Sequence, residues 1–278
     1  MNKLSKVLFY LIILFVIIIT VVPFLMMFLG SFKSNYEIMT LRPRLLPQNG
    51  FNFLKYDALF DTWPFFRNIV NSFFISGTVT LIACFLSALI GFVFAKYKFP
   101  GRTVFFVILL SSMMIPLESR LVPSYILIRA LGGINRYWAL IVPQLVPTVA
   151  FGVFMMRQYV YSGVPIEFLE AARIEGASES QIFIKIGLPI LKPALISLAI
   201  LTFMNIWNEF LWTLVVVTKK ELYTVTVALQ SLSDVSLQVD YGIVFAAATV
   251  SALPILVIYI LTHKKMTEGM LEGGGKEI

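Results

Sequence analysis

Six long apolar stretches run along the chain, at about residues 7–29, 69–95, 103–122, 138–156, 194–217 and 243–261. A helix rising 1.5 Å per residue needs roughly 20 apolar residues to cross a hydrocarbon core about 30 Å thick. Each stretch meets that length. Backbone amides in lipid must be satisfied within the segment, which a helix does and an open strand does not. Period-two alternation is absent, so a membrane barrel is not indicated. The pattern predicts an all-α, polytopic membrane protein with six transmembrane helices, packed as one domain over residues 1–278. The third stretch is the weakest. It is cleanly apolar only to Leu117 and then reads "ESRLVPSYILIRALGG". Pro116 and Pro123 each remove a helical hydrogen bond, so a broken helix end followed by a short interfacial helix is expected there. Among the connections, residues 30–68 form a long, turn-rich loop and "KYKFPGR" a tight basic hairpin.

Composition agrees with this pattern. The 278 residues are 59% hydrophobic and 13% charged, against about half and a quarter in soluble domains. Mean hydropathy is +0.87. The net charge of +7 could suggest nucleic acid, but the basic residues lie mostly between the apolar stretches, as membrane orientation requires. With the N-terminus cytoplasmic, 12 Lys and Arg fall inside and 10 outside, a small positive-inside bias. The first apolar stretch is longer than the ~7–15 residues of a signal-peptide core and no A-x-A site follows, so it is expected to be an uncleaved span. Cys84 is a lone cysteine in an apolar run, which fits a small packed side chain.

One segment breaks the oily pattern. Residues 165–193 read "PIEFLEAARIEGASESQIFIKIGLPILKP", with four glutamates, one arginine and two lysines. Pro165 suits a first helical position, and Glu167 and Glu170 suit the first turn, where the helix dipole favours anions. Gly176 is a natural helix stop. Ser178 with Gln181 has the form of a capping box that starts a second helix. Gly187 and Pro189 are expected to end that helix, and Pro193 to open the next span. Phe168, Ala171, Ala172 and Glu175 share one side of the first helix. These residues fit either a solvated loop on the membrane or a docking surface for another protein, and the pattern alone leaves both open.

"EAARIEGASESQIFIKIGLP" resembles the EAA signature of the integral-membrane subunits of ATP-binding-cassette importers. The match runs through Glu170, Ala171, Ala172, Gly176, Ile186, Leu188 and Pro189, with Glu175 where that family often carries aspartate. "NIWNEFLW", "LYTVTVAL", "ALPILVIYI" and "MMIPLESRLVPSYIL" are similar to the shorter, six-span subunit of maltose-type carbohydrate permeases, so the likeness covers nearly the whole chain. Thr213 departs from a proline common after "WNEFLW", and Lys55–Tyr56 from a frequent Asn-Tyr. The resemblance implies a permease subunit for a sugar or oligosaccharide, in a bacterial or archaeal inner membrane with both termini cytoplasmic. It implies a second permease subunit, two ATPase subunits and an extracytoplasmic solute-binding protein as partners. ATP and magnesium would then belong to the ATPase, and this chain would bind no cofactor. The resemblance also gives Glu170, Ala171, Ala172, Glu175, Gly176, Leu188 and Pro189 the role of coupling the pathway to the ATPase.

Other candidates are fewer. "GGGK" at 273–276 lacks the upstream glycine and the following Ser/Thr of a phosphate loop. No His, Cys or carboxylate cluster has metal spacing, and no nucleophile–base pair points to an enzyme. A carboxylate within a span is costly and ordinarily faces a cavity or a partner. Glu209, with Asn205 and Asn208 on the same face of a continuous fifth span, is therefore the candidate pathway lining, with structural hydrogen bonds between spans as the alternative. Asn71, Ser72 and Ser76 are weaker candidates, and His263 reads as an interfacial anchor. Two rivals stand beside the importer of sugars: an importer of another solute, and a secondary transporter. The latter needs ion-coupling groups in more than one span, which the near-isolation of Glu209 opposes.

Overall fold

The computed structural model describes residues 3–41, 44–234 and 239–273; of "GGGK" only Gly273 is among them, and 274–276 lie outside the described residues. Every regular element among the described residues is helical. Helix α1 spans Lys3–Gly30, followed by two short helices, α2 (Asn35–Met39) and α3 (Leu54–Thr62). The long α4 (Phe65–Lys96) leads to α5 (Arg102–Ser111) and α6 (Leu117–Ala130). Helix α7 (Tyr137–Gly163) precedes the charged segment, which holds α8 (Ile166–Ile174) and α9 (Glu179–Ile182). The chain ends with α10 (Leu188–Trp207), α11 (Leu211–Val216), α12 (Val225–Leu232) and α13 (Tyr241–Gly273).

Five helices are long and apolar enough to cross a membrane, and α5 with α6 makes a sixth, bent by 98°. The cause of the bend is Pro116. The residue before a proline is steered out of the α region, and Ile115 accordingly sits at φ −84, ψ 110 after a short 3₁₀ turn. The expected broken end and the short helix after it are both present, with the break at Pro116 and Pro123 inside α6.

Two expectations are corrected. The fifth span does not continue to residue 217: α10 ends at Trp207, and α11 is a separate short helix. Nor do Gly187 and Pro189 end the second helix of the charged segment. Helix α9 passes through a π-helical turn, Phe183–Gly187, straight into α10. Leu188 N–H donates to Phe183 O, five residues back, and the widened turn accommodates Pro189 near the start of α10, where a missing N–H costs little.

The bundle is built on α4 and α7, which pack along most of their length. Small residues allow this close approach, as in membrane helix pairs generally. A Cβ on Gly152 would lie 2.1 Å from Ser87 Oγ, and one on Gly91 2.7 Å from Met156 Cβ. Helix α10 packs against α4, α7 and α13. One core, around Phe92, Met156, Val160, Leu169, Ile182 and Leu191, lies at the end carrying the charged segment. Two others lie towards the far end, around Trp212 and Leu140 and around Trp207 and Phe65. Described parts of the long first connection are held within themselves and to the start of α13. Ser34 and Glu37 form a capping box, Glu37 Oε1 also accepts Gln48 N–H at 2.6 Å, and Lys55 pairs with Asp240 at 2.6 Å.

Candidate functional site

The charged segment is a corner of two capped helices. Helix α8 starts after Pro165, which serves as its N-cap rather than its first helical residue. Glu167 occupies the first turn, while Glu170 falls one turn later than expected. Leu169 is fully buried against the ends of α4 and α7. At the other end Ala177 N–H donates to Ala172 O and Gly176 N–H to Arg173 O, both at 3.0 Å, the pair of bonds that defines a Schellman stop. Gly176 sits at φ +82 with open space where a Cβ would be, so glycine is required here by conformation and not by crowding. Ser178 and Gln181 form the capping box in both directions.

What the segment presents outward is specific. Ala171, Glu170 and Glu175 are exposed and Ala172 is half-buried at the seam. Phe168 and Ile174 keep 57% and 85% of their surface exposed, large apolar side chains on a polar element that fit a covering partner. Leu188 is half-buried and Pro189 exposed at the foot of α10.

A brace not foreseen from the sequence holds the corner to the basic hairpin. Arg173 Nε donates to Glu179 Oε1 at 2.8 Å, bridging α8 and α9. Tyr97 donates its hydroxyl hydrogen to the same carboxylate, and Lys96 Nζ donates to Val164 O. Burial, then the Glu179 carboxylate, pushes the Tyr97 phenol above its ordinary range. Basic "KYKFPGR" facing an acidic insert was the signal available in the sequence; the register of contact was not.

At the far end the three candidate pathway residues do not share one helical face. Asn205 lies exposed on α10, and Asn208 is the exposed C-cap of that helix. Glu209 lies beyond it. Its Oε1 accepts Trp212 N–H at 2.6 Å, and its Oε2 accepts Thr213 N–H at 3.2 Å and Thr213 Oγ1 at 2.8 Å. The carboxylate thus caps α11, so the i, i+4 argument for Asn205 and Glu209 fails because the helix stops between them. Asn71 and Ser72 are occupied too. Asn71 Nδ2 donates to Glu221 O and Tyr223 O, its Oδ1 accepts the Tyr137 hydroxyl, and Ser72 Oγ accepts Val225 N–H. Ser76 is buried with no hydrogen-bond partner among the described residues. His263 is exposed, with Nδ1 2.9 Å from Ile260 O.

A bundle of membrane-crossing helices, interrupted by a capped polar corner, has the architecture of a transport permease. Residues 87–264 match the family described as the binding-protein-dependent transport system inner membrane component, and the chain belongs to that family. It is 34% identical over 269 residues to the "Arabinooligosaccharides transport system permease protein AraQ" of Halalkalibacterium halodurans, covering 94% of this chain and 93% of that one. Its fold matches a chain of the crystal structure of a bacterial ABC transporter involved in import of the acidic polysaccharide alginate, with a TM-score of 0.82, 23% identity, and 94% and 96% of the two chains covered. A second crystal structure, the alginate ABC transporter in complex with an alginate pentasaccharide-bound periplasmic protein, matches with a TM-score of 0.67, 18% identity, and 95% and 94% covered.

Proposed function

We propose that this chain is one membrane-spanning subunit of an ATP-driven importer for a sugar or oligosaccharide. In this reading it folds as one transmembrane unit, supplies half of the translocation pathway, and pairs with a second permease subunit. Two ATPase subunits holding ATP and magnesium dock on the cytoplasmic side, and an extracytoplasmic binding protein delivers the solute. Both termini then face the cytoplasm of a bacterial or archaeal cell. The relatives' substrates and the binding protein in the alginate complex support the solute class and the delivery step.

The observation that carries the reading is the capped, braced corner at 165–193 with Phe168 and Ile174 left exposed. A corner held by a Schellman stop, a capping box and the Arg173–Glu179 pair moves as a block. The helix continues without a loop from α9 into α10. Displacement of the corner by a closing ATPase dimer therefore passes directly into a span of the pathway. Asn205 and Asn208 are the side chains on that span's outer end available to a solute, while Glu209 positions the adjoining backbone.

Co-expression with the neighbouring transport genes and purification through a tag on this chain tests the assembly. Retention of an ATPase, with ATP-dependent saccharide uptake in proteoliposomes, is expected. A chain that purifies without an ATPase under conditions that preserve its fold contradicts the reading.

A further inference from the structure

Between α6 and α7, with Trp212 of α11 at its wall, lies a groove of about 360 Å³, within the ~300–1,000 Å³ of small-molecule sites. Three polar side chains enter it, Arg120 and Ser124 from α6 and Gln144 from α7. All three are half-buried. Among the described residues, the Arg120 guanidinium has no ion pair, and neither Ser124 nor Gln144 has a side-chain hydrogen bond. Two tryptophans wall the same groove. Trp212 is locked by its Nε1–H donating to Ala139 O at 2.8 Å. Trp138 lies so close over Gly133 that a Cβ there would meet its ring at 2.8 Å, yet the side chain keeps 38% of its surface exposed.

Depth makes this arrangement informative. The stretch Arg102–Met114 rises about 20 Å at 1.5 Å per residue, two thirds of a core about 30 Å thick. The 98° bend then turns α6 across that level. Gln144 lies about 10 Å along α7 from its outer end at Tyr137. An unpaired cation and an unpaired amide at such depth are costly, and groups of this kind mark a solute path or a partner. Trp212 places the groove beside the end of α10 that carries Asn208, since its backbone N–H donates to Glu209, the next residue in the chain.

We infer that this groove is a solute subsite in the outer third of the pathway, taking one residue of a saccharide chain. Trp138 offers a fixed apolar face to a sugar ring. Arg120, Ser124 and Gln144 supply hydrogen-bond donors and acceptors for its hydroxyls. The unpaired guanidinium adds a preference for a ring that carries a carboxylate, which it can bind through two parallel N–H bonds. The inference rests on the importer reading above and names the residues that meet its substrate.

The test uses the complete transporter in proteoliposomes with two labelled probes, a neutral pentose trisaccharide and a uronate trisaccharide. The variants are R120Q, R120K and Gln144→Leu, with R129Q as a control, because Arg129 is exposed on the same helix and does not line the groove. Loss of a charged hydrogen bond predicts a roughly tenfold or greater rise in the uptake KM for R120Q, with partial rescue by R120K. Gln144→Leu is expected to raise KM in the same direction, and R129Q to leave it unchanged. Where both probes are carried, the R120Q effect should be larger for the uronate. Unchanged KM in R120Q and Gln144→Leu overturns the subsite. So does loss of the second permease from the purified R120Q complex, which would mean that Arg120 pairs with that subunit. A wild-type complex that purifies without an ATPase fails at the importer reading itself, and is told apart because no variant is then needed to see it.

Discussion

Glu209 shows how far a single side chain can depart from its sequence-based role. The expectation of a membrane-depth carboxylate facing a pathway gives way to a carboxylate that satisfies two backbone N–H groups at the start of α11. Glu209→Ala leaves both donors unpaired in a half-buried place, at a cost of about 1–3 kcal/mol. Glu209→Gln keeps acceptor capacity and should cost less. Thermal unfolding in detergent ranks the two, and equal midpoints for both variants and the wild type would remove the capping role. Glu37 offers a second test at this scale. Its carboxylate is held below the usual range by backbone N–H groups of Ser34 and Gln48, against an opposing effect of burial. A depressed folded pKa means that the ionised form is favoured by folding. The contribution is fully present above the unfolded value near 4.5 and is lost as pH falls through the lowered folded value. A melting curve series through that acid range should steepen for the wild type and flatten for Glu37→Gln; parallel series would contradict it.

The helices of the charged segment were largely legible. The Gly176 stop and the Ser178–Gln181 box depend on contacts within a few residues, so local chemistry decides them. The unbroken passage from α9 into α10 was not, because a π turn absorbs the proline that local rules read as a terminator. The break after Trp207 was hidden for a related reason: the residues on either side are apolar, and a carboxylate three residues before the Trp212 N–H replaces the missing helical acceptors. At this scale Ala171 is the cleanest probe of docking. It is exposed, so Ala171→Leu should change the chain's own stability by no more than about 0.5 kcal/mol. Blocked docking would nonetheless lower ATP-driven uptake several-fold while ATP hydrolysis continues. Wild-type uptake by that variant would remove the segment's role as a coupling surface. Ala172 and Gly176 are less selective, since one packs at the seam and the other holds a left-handed conformation.

The α4–α7 seam sets the shape of the whole molecule. Gly152→Val places a branched side chain where a Cβ already meets Ser87 Oγ, so overpacking of about 1–3 kcal/mol is expected. Gly77, on the same seam-forming helix, has nothing within 4 Å of its Cβ position. Gly77→Ala should be neutral or stabilising by up to about 1 kcal/mol. Melting temperatures that fall for the first and hold for the second support the packing; equal shifts would contradict it. Helix α1 contrasts with the seam. None of its most apolar window is buried among the described residues, although the helix packs against α13.

Hydrophobic run length, capping residues and the polar corner follow from the order of residues alone, because each depends on neighbours a few positions away or on the thickness of a bilayer. The positions of the spans, the broken third one included, and both corner helices were readable on that basis. The tertiary structure decided what the polar groups do. It turned Glu209 inward to a backbone, occupied Asn71 and Ser72 with the backbone at 221–225, and left Arg120, Ser124 and Gln144 together without side-chain partners among the described residues. Those assignments depend on which helices meet and at what rotation, and that is fixed by packing between distant segments, which no local pattern encodes.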